Sequence, residues 1–220
     1  MVGGSLRRFL LVCAALMCAS VALTAQFSII VLDTQSWRAG RLPDGWQVKV
    51  NRGTPEISAE RGADSNCLHL KSHRSSYALE RGVDVDPAQL PYLSWRWKVT
   101  KLPEGGDFRH ASTDDQAAQV LVAFADRRIL TYLWDSTAPQ GAMQSASSIP
   151  LVHIYAIVCR SGGAEANQWV AESRNLEQDY EKAYGRPAPR VKGIRLQINS
   201  QHTGTSAESY FGDVSFRSTP

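Results

Sequence analysis

The chain has 220 residues, 43% hydrophobic and 20% charged, with 24 Lys and Arg against 21 Asp and Glu. This composition fits a single globular domain and excludes a disordered or low-complexity protein, and no basic run marks a nucleic-acid surface. Four cysteines in a chain of this length exclude a disulfide-dense scaffold.

Arg7 and Arg8 precede a run from Phe9 to Leu32 that carries no charge. Its first half is rich in Ala, Leu and Val and ends in small residues, the form of a signal peptide cleaved after Ala22 or Ala25. Residues 1–25 are therefore expected to be a signal peptide and 26–220 one periplasmic or secreted domain. The alternative is an uncleaved anchor, because the run is long enough to cross a bilayer if residues 27–32 join it. The β-branched residues of FSIIVLDT favour a first strand instead, so no stable membrane insertion is expected after cleavage. Ala15, Leu16 and Met17 ahead of Cys18 are wrong for a lipoprotein. Cleavage leaves 22 basic against 21 acidic residues, so nucleic acid is not an expected partner. It also leaves only Cys67 and Cys159, which excludes a zinc set of several cysteines and permits either one disulfide or two buried thiols. No cofactor or metal is expected.

Short alternating segments then follow one another between Gly, Pro, Asp and Asn. They predict strands over 27–32, 46–50, 56–60, 67–71, 77–83, 92–99, 117–125, 129–134, 152–159, 168–174, 191–199 and 209–217. In 92–99, Leu93, Trp95, Trp97 and Val99 share the core side, while Ser94, Arg96 and Lys98 share the other. Ala125 to Arg128 should turn a hairpin, and the Gly, Ser and Ala-rich stretch 138–148 reads as a longer mobile loop. One helix interrupts the rhythm: Asn175 is placed to cap it, Gln178 stands in the capping-box position, and Gly185 with Pro187 ends it. Leu176, Tyr180 and Ala183 give that helix an apolar stripe, so it should cap a sandwich rim. Arg174 and Asp179 at its start suit a salt bridge. The whole reads as an all-β sandwich of antiparallel strands with one short capping helix.

Five stretches carry a resemblance: LPDGW at 42–46, LSWRWKV at 93–99 with LPEGGD at 102–107, DDQAAQVLVAF at 114–124, the segment from Trp169 through RNLEQDYEKAYG, and TGTSAESYFGDVSF at 203–216. In this order the chain resembles DUF3047, a family of exported bacterial proteins with no established function. The resemblance implies a jelly-roll or galactose-binding-like β-sandwich, a general shape shared with carbohydrate-binding modules. It also implies an acidic segment ahead of the Thr-Gly pair, where this chain has Asn199-Ser200-Gln201-His202. A cation or acid role of that loop would thus lack its charge here.

Strand alternation places Arg195, Gln197 and Asn199 on one side of their strand, and His153 with Tyr155 opposite Val152, Ile154 and Ala156. With Arg96 and Lys98 these are expected to line one polar, ligand-binding sheet face, although a wet face is also the ordinary state of an antiparallel sheet. Asp114 and Asp115, just before an apolar strand, suit either ligand contact or turn chemistry. Most of the six tryptophans should be core; Trp134, followed by Asp135 and the loop, is the one expected to be free to stack on a sugar. G-x-S-x-G and H-E-x-x-H are both absent, so no catalytic residue is assigned. The expected function is an exported, non-catalytic module for a carbohydrate or other envelope ligand. The alternatives are a lyase-like polysaccharide enzyme, which needs a Tyr or His base beside Arg and Asn, and a structural envelope protein with an exposed apolar patch.

Overall fold

The computed structural model describes residues 26–34, 41–61, 66–146 and 152–220. The expected signal peptide, Trp37 and the end of the 138–148 stretch lie outside them. Two sheets form the molecule. Six strands make the first: β1 (Ser28–Leu32), β3 (Glu56–Arg61), β4 (Asn66–His73), β6 (Tyr92–Lys101), β11 (Val170–Asn175) and β13 (Ser206–Arg217), in the order β11-β6-β13-β4-β3 with β1 also on β13. Seven make the second: β2 (Gln47–Arg52), β5 (Ser76–Val85), β7 (Ala118–Phe124), β8 (Arg128–Asp135), β9 (Met143–Ser145), β10 (His153–Ser161) and β12 (Val191–Asn199), in the order β2-β5-β12-β7-β8-β10-β9.

All twelve expected strands are present. Pairing is antiparallel except between β8 and β10, which run parallel. The mobile loop expected over 138–148 instead contains β9, which pairs with β10 through Gln144 opposite Ala156. Free N–H and C=O groups on the β10 edge give such a segment a partner despite its weak strand sequence.

Alternation sorts the residues as the physics of a pleat requires. Trp95, Trp97, Val99, Leu68, Leu70, Phe211, Val214 and Phe216 from the first sheet meet Tyr77, Leu79, Val120, Val122, Leu130, Tyr132, Ile194, Leu196 and Ile198 from the second, all buried. The two tryptophans of LSWRWKV are thus core, packed edge to face at 5.3 Å. Cys67 and Cys159 sit in different sheets as free thiols, and burial pushes both thiol pKa values up.

The helix α1 (Leu176–Tyr184) forms where the sequence places it. The Asn175 side chain accepts from the Gln178 N–H at 3.1 Å, and Gly185 takes φ 66°, the left-handed turn that favours glycine. Its Leu176 N–H donates to the Pro91 carbonyl, its Tyr180 hydroxyl donates to Asp126 in the β7–β8 turn, and Arg174 forks onto Asp179 at 2.5 and 2.9 Å. The helix therefore closes one end of the sandwich by joining both sheets. In the β7–β8 turn Arg127 adopts φ 65°. Among the described residues no helix is long and apolar enough to cross a membrane.

Candidate functional site

The outer face of the seven-stranded sheet carries two depressions that run across the strands. The polar one, of about 350 Å³, extends from Asn51 on β2 to Ile154 and Ala156 on β10. The second, of about 250 Å³, has a floor of Gly82, Gly193 and Ala123 with Gln47 and Glu80 at its side. Both are lined by Arg195 and Leu121, so they meet there. At that meeting point Arg195 Nη2 donates to Glu80 Oε2 at 2.6 Å, a pair set directly across the β5–β12 register.

Alternation along β12 points Arg195, Gln197 and Asn199 outward because Ile194, Leu196 and Ile198 are drawn into the core. Arg195 and Gln197 line the polar depression as expected. Asn199 also lines it, but both ends of its amide are engaged. Its Oδ1 accepts from the Gln116 N–H at 2.9 Å and from Gln119 Nε2 at 2.7 Å, while its Nδ2 donates to the Asp114 carbonyl at 2.7 Å. Asn199 is a positioning residue that fixes the segment entering β7.

That segment separates the two adjacent aspartates. Asp114 lines the depression and accepts from Gln116 Nε2 at 3.0 Å. Asp115 is fully buried and turned away, accepting from the Thr203 N–H at 2.6 Å and hydroxyl at 2.9 Å. It performs turn chemistry, tying the Thr-Gly stretch to the strand start. Gly106 of LPEGGD lies so close that a Cβ there would clash with the Asp115 carbonyl oxygen. Three of the stretches that carry the family resemblance therefore meet as scaffolding at this end of the depression. No group of three or more His, Cys, Asp or Glu side chains among the described residues is arranged to hold a metal ion.

Burial raises the Asp114 carboxyl pKa, a shift that the Gln116 amide and His202 partly offset. The folded protein thus holds this proton to higher pH than the unfolded chain. As pH climbs from the ordinary carboxylate value through the raised one, ionisation of the buried group lowers stability. Asp114→Asn keeps the acceptor for Gln116, so it is expected to flatten that fall and to raise the melting temperature at neutral pH. Thermal melts across the acid-to-neutral range check this, and an unchanged slope would assign the effect elsewhere.

Four expected ligand contacts are corrected. Trp134 is fully buried, packed against Trp97 at 5.8 Å with its Nε1–H donating to the Gly162 carbonyl at 3.1 Å; it shares the inward side of β8 with Leu130 and Tyr132 and cannot stack on a sugar. Tyr155 lies on the inner side of β10 with Ile157 and Cys159, its ring 6.0 Å from Tyr184 under the helix. Apolar residues occupy both sides of β10, so alternation alone misassigns its faces. Arg96 and Lys98 do point outward, but from the six-stranded sheet. Lys98 Nζ lies 4.1 Å over Tyr210 and 5.5 Å from Trp169, and Arg96 lies 5.5 Å from Trp169. The thickness of the sandwich separates them from Arg195, so no single polar face unites these residues.

Sequence reasoning missed Asn51, Gln119, Thr131, Gln201 and His202 at the depression. The signal for two of them was available: Gln119 and Thr131 are polar interruptions in otherwise apolar strands. Thr131 is 4% exposed, and its Oγ1 is buried without a hydrogen-bond partner, as is Gln201 Oε1.

Solved structures with related folds are distant in sequence. The endoglucanase Cel12A from Rhodothermus marinus is 12% identical over 88% of this chain and 100% of its own, with a TM-score of 0.50. The xyloglucanase domain of NopAA from Sinorhizobium fredii, in complex with cellobiose, is 10% identical over 86% and 96% at a TM-score of 0.48. The family 11 carbohydrate-binding module of Lic26A-Cel5E from Clostridium thermocellum is 8% identical over 88% and 95% at 0.45. The likeness to Cel12A is one of fold. No curated protein matches the chain. The sequence pattern of DUF3047, described as a protein of unknown function, matches residues 44–215, nearly the whole sandwich, and the chain belongs to that family.

Proposed function

We propose that the protein is an exported β-sandwich module that binds a carbohydrate chain across the outer face of its seven-stranded sheet and does not turn it over. The observation that carries this reading is the polar depression, lined by the amides of Asn51, Gln119, Gln197 and Gln201 and the hydroxyl of Ser76. Partly exposed Ile154, with Leu121, Leu133 and Ala156 buried in the same lining, supplies apolar surface beside the polar groups, suited to a sugar ring with its apolar faces and polar edge. From β2 to β10 the depression crosses five strand-to-strand steps. At about 4.8 Å per step this is roughly 24 Å, room for a short stretch of glycan.

The engagement of the carboxyl groups favours binding over hydrolysis. A glycosidase works with two carboxyl groups that act on the substrate. Here Asp114 accepts from Gln116 Nε2 at 3.0 Å and Glu80 is paired with Arg195 at 2.6 Å. A lyase needs a base beside the substrate carbon; Tyr155 lies on the other side of the sheet, and His202, which lines the depression, is turned to the Asp114 carbonyl through its Nδ1 at 3.1 Å.

Affinity electrophoresis and calorimetry on the exported protein, whose intact mass should lack residues up to Ala22 or Ala25, test the proposal. β-Glucans come first because the fold is shared with an endoglucanase. Retention without product is expected, and Gln197→Ala should weaken it about tenfold or more, ~1.4 kcal/mol. No retention by any polymer, or release of sugars, would sink the reading.

A further inference from the structure

The charges that line the polar depression are already engaged. Among the described residues that line it, three carry ionisable side chains: Asp114, Arg195 and His202. The Arg195 guanidinium is held by Glu80 at 2.6 Å. His202 turns toward the aspartate segment, its Nδ1 donating to the Asp114 carbonyl at 3.1 Å and lying 3.9 Å from Asp115 Oδ1. The other polar lining groups are neutral amides and hydroxyls, and two of them, Thr131 Oγ1 and Gln201 Oε1, are buried polar atoms without a partner.

Resting on the reading of this depression as a glycan site, we propose that it selects uncharged, hydroxyl-rich sugars and rejects uronates. A hydroxyl both donates and accepts, as do the amides and hydroxyls that face it, so each can satisfy the other. A carboxylate only accepts. Moving it out of water requires a cation or several committed donors. Glu80 balances the charge of the guanidinium through Nη2, Asn199 takes the Gln119 amide, and the Asp114 carboxyl opposes a second negative charge at the same surface. Discrimination here lies as much in what an acidic sugar would meet as in what a neutral one would gain.

Matched polymers that differ only in the C6 group provide the test: β-1,4-mannan against β-1,4-polymannuronate, and cello-oligosaccharides against their C6-oxidised forms. With the mature wild-type protein, the neutral member of the binding pair should be held about tenfold or more tightly, with little dependence on salt. Glu80→Gln releases Arg195, and Asp114→Asn removes the opposing charge; each should raise uronate affinity several-fold relative to the neutral partner. A gain of this kind is not what a misfolded variant gives. Equal or tighter binding of the uronate by wild type, or a gap that neither variant narrows, would overturn this inference alone. Failure of both members of every pair would overturn the glycan reading and this inference with it.

Discussion

Replacing Trp97 by alanine is expected to destabilise the protein by about 3–5 kcal/mol, the loss typical of a fully buried Trp or Phe truncated in a core. Trp97 is 0% exposed and sits at the centre of the inter-sheet aromatic cluster, at 5.3 Å from Trp95 and 5.8 Å from Trp134. Its Nε1–H also reaches Glu172 Oε1 at 3.3 Å, a carboxylate that Arg160 Nε holds at 2.7 Å. Alanine leaves a large void, takes packing from both neighbouring rings and removes that carboxylate's indole donor. For a domain of this size the melting temperature should fall by roughly 6–20 °C. Trp169 is 42% exposed, and its replacement by alanine should cost far less. Urea and thermal melts of the two variants make the comparison. A Trp97→Ala loss no greater than that of Trp169→Ala would contradict the core assignment.

Asp179→Ala should be the next most damaging change, by about 2–4 kcal/mol, because it leaves two partners without their acceptor. The carboxylate accepts from the buried Tyr132 hydroxyl at 2.9 Å and from both arms of the Arg174 fork. Tyr132 is fully buried, so its hydroxyl has no water to turn to, whereas Arg174 keeps part of its solvent contact. This is why the expected loss stays below that for a wholly buried ion pair. Adding Tyr132→Phe removes the stranded hydroxyl, so the double variant should recover part of the stability lost by Asp179→Ala. A double variant less stable than either single change would show that the tyrosine and aspartate do not act through this bond. Because Asp179 belongs to the helix and Tyr132 to the seven-stranded sheet, the same measurement reports how firmly the helix closes the sandwich.

Local features were legible in the sequence wherever the decisive force is local or strongly periodic. LSWRWKV alternates so that both indoles must share a face, and two indoles on one face demand a core. The Asn175 cap, the Gly185 stop and the Arg174–Asp179 pair act within one or two turns of chain, so residue types at fixed spacing determined the helix. Other features depend on partners far away in the chain. β9 is a strand because the β10 edge offers it hydrogen bonds, and the parallel pairing of β8 and β10 follows from that same long-range arrangement. Alternation states that Arg96 and Arg195 each lie on a polar side, but it carries no information about which sheet each strand joins. Strand order across the sandwich places them on opposite outer surfaces. Trp134 and Tyr155 were misread for a related reason: an aromatic residue at a strand end, or in a strand apolar on both sides, is assigned to core or surface only by what packs over it. The polar depression is therefore a tertiary product. Asn51, Gln119, Thr131 and Gln201 come from β2, β7, β8 and the turn after β12, and hydrogen-bonded register alone brings these separate polar interruptions to one surface.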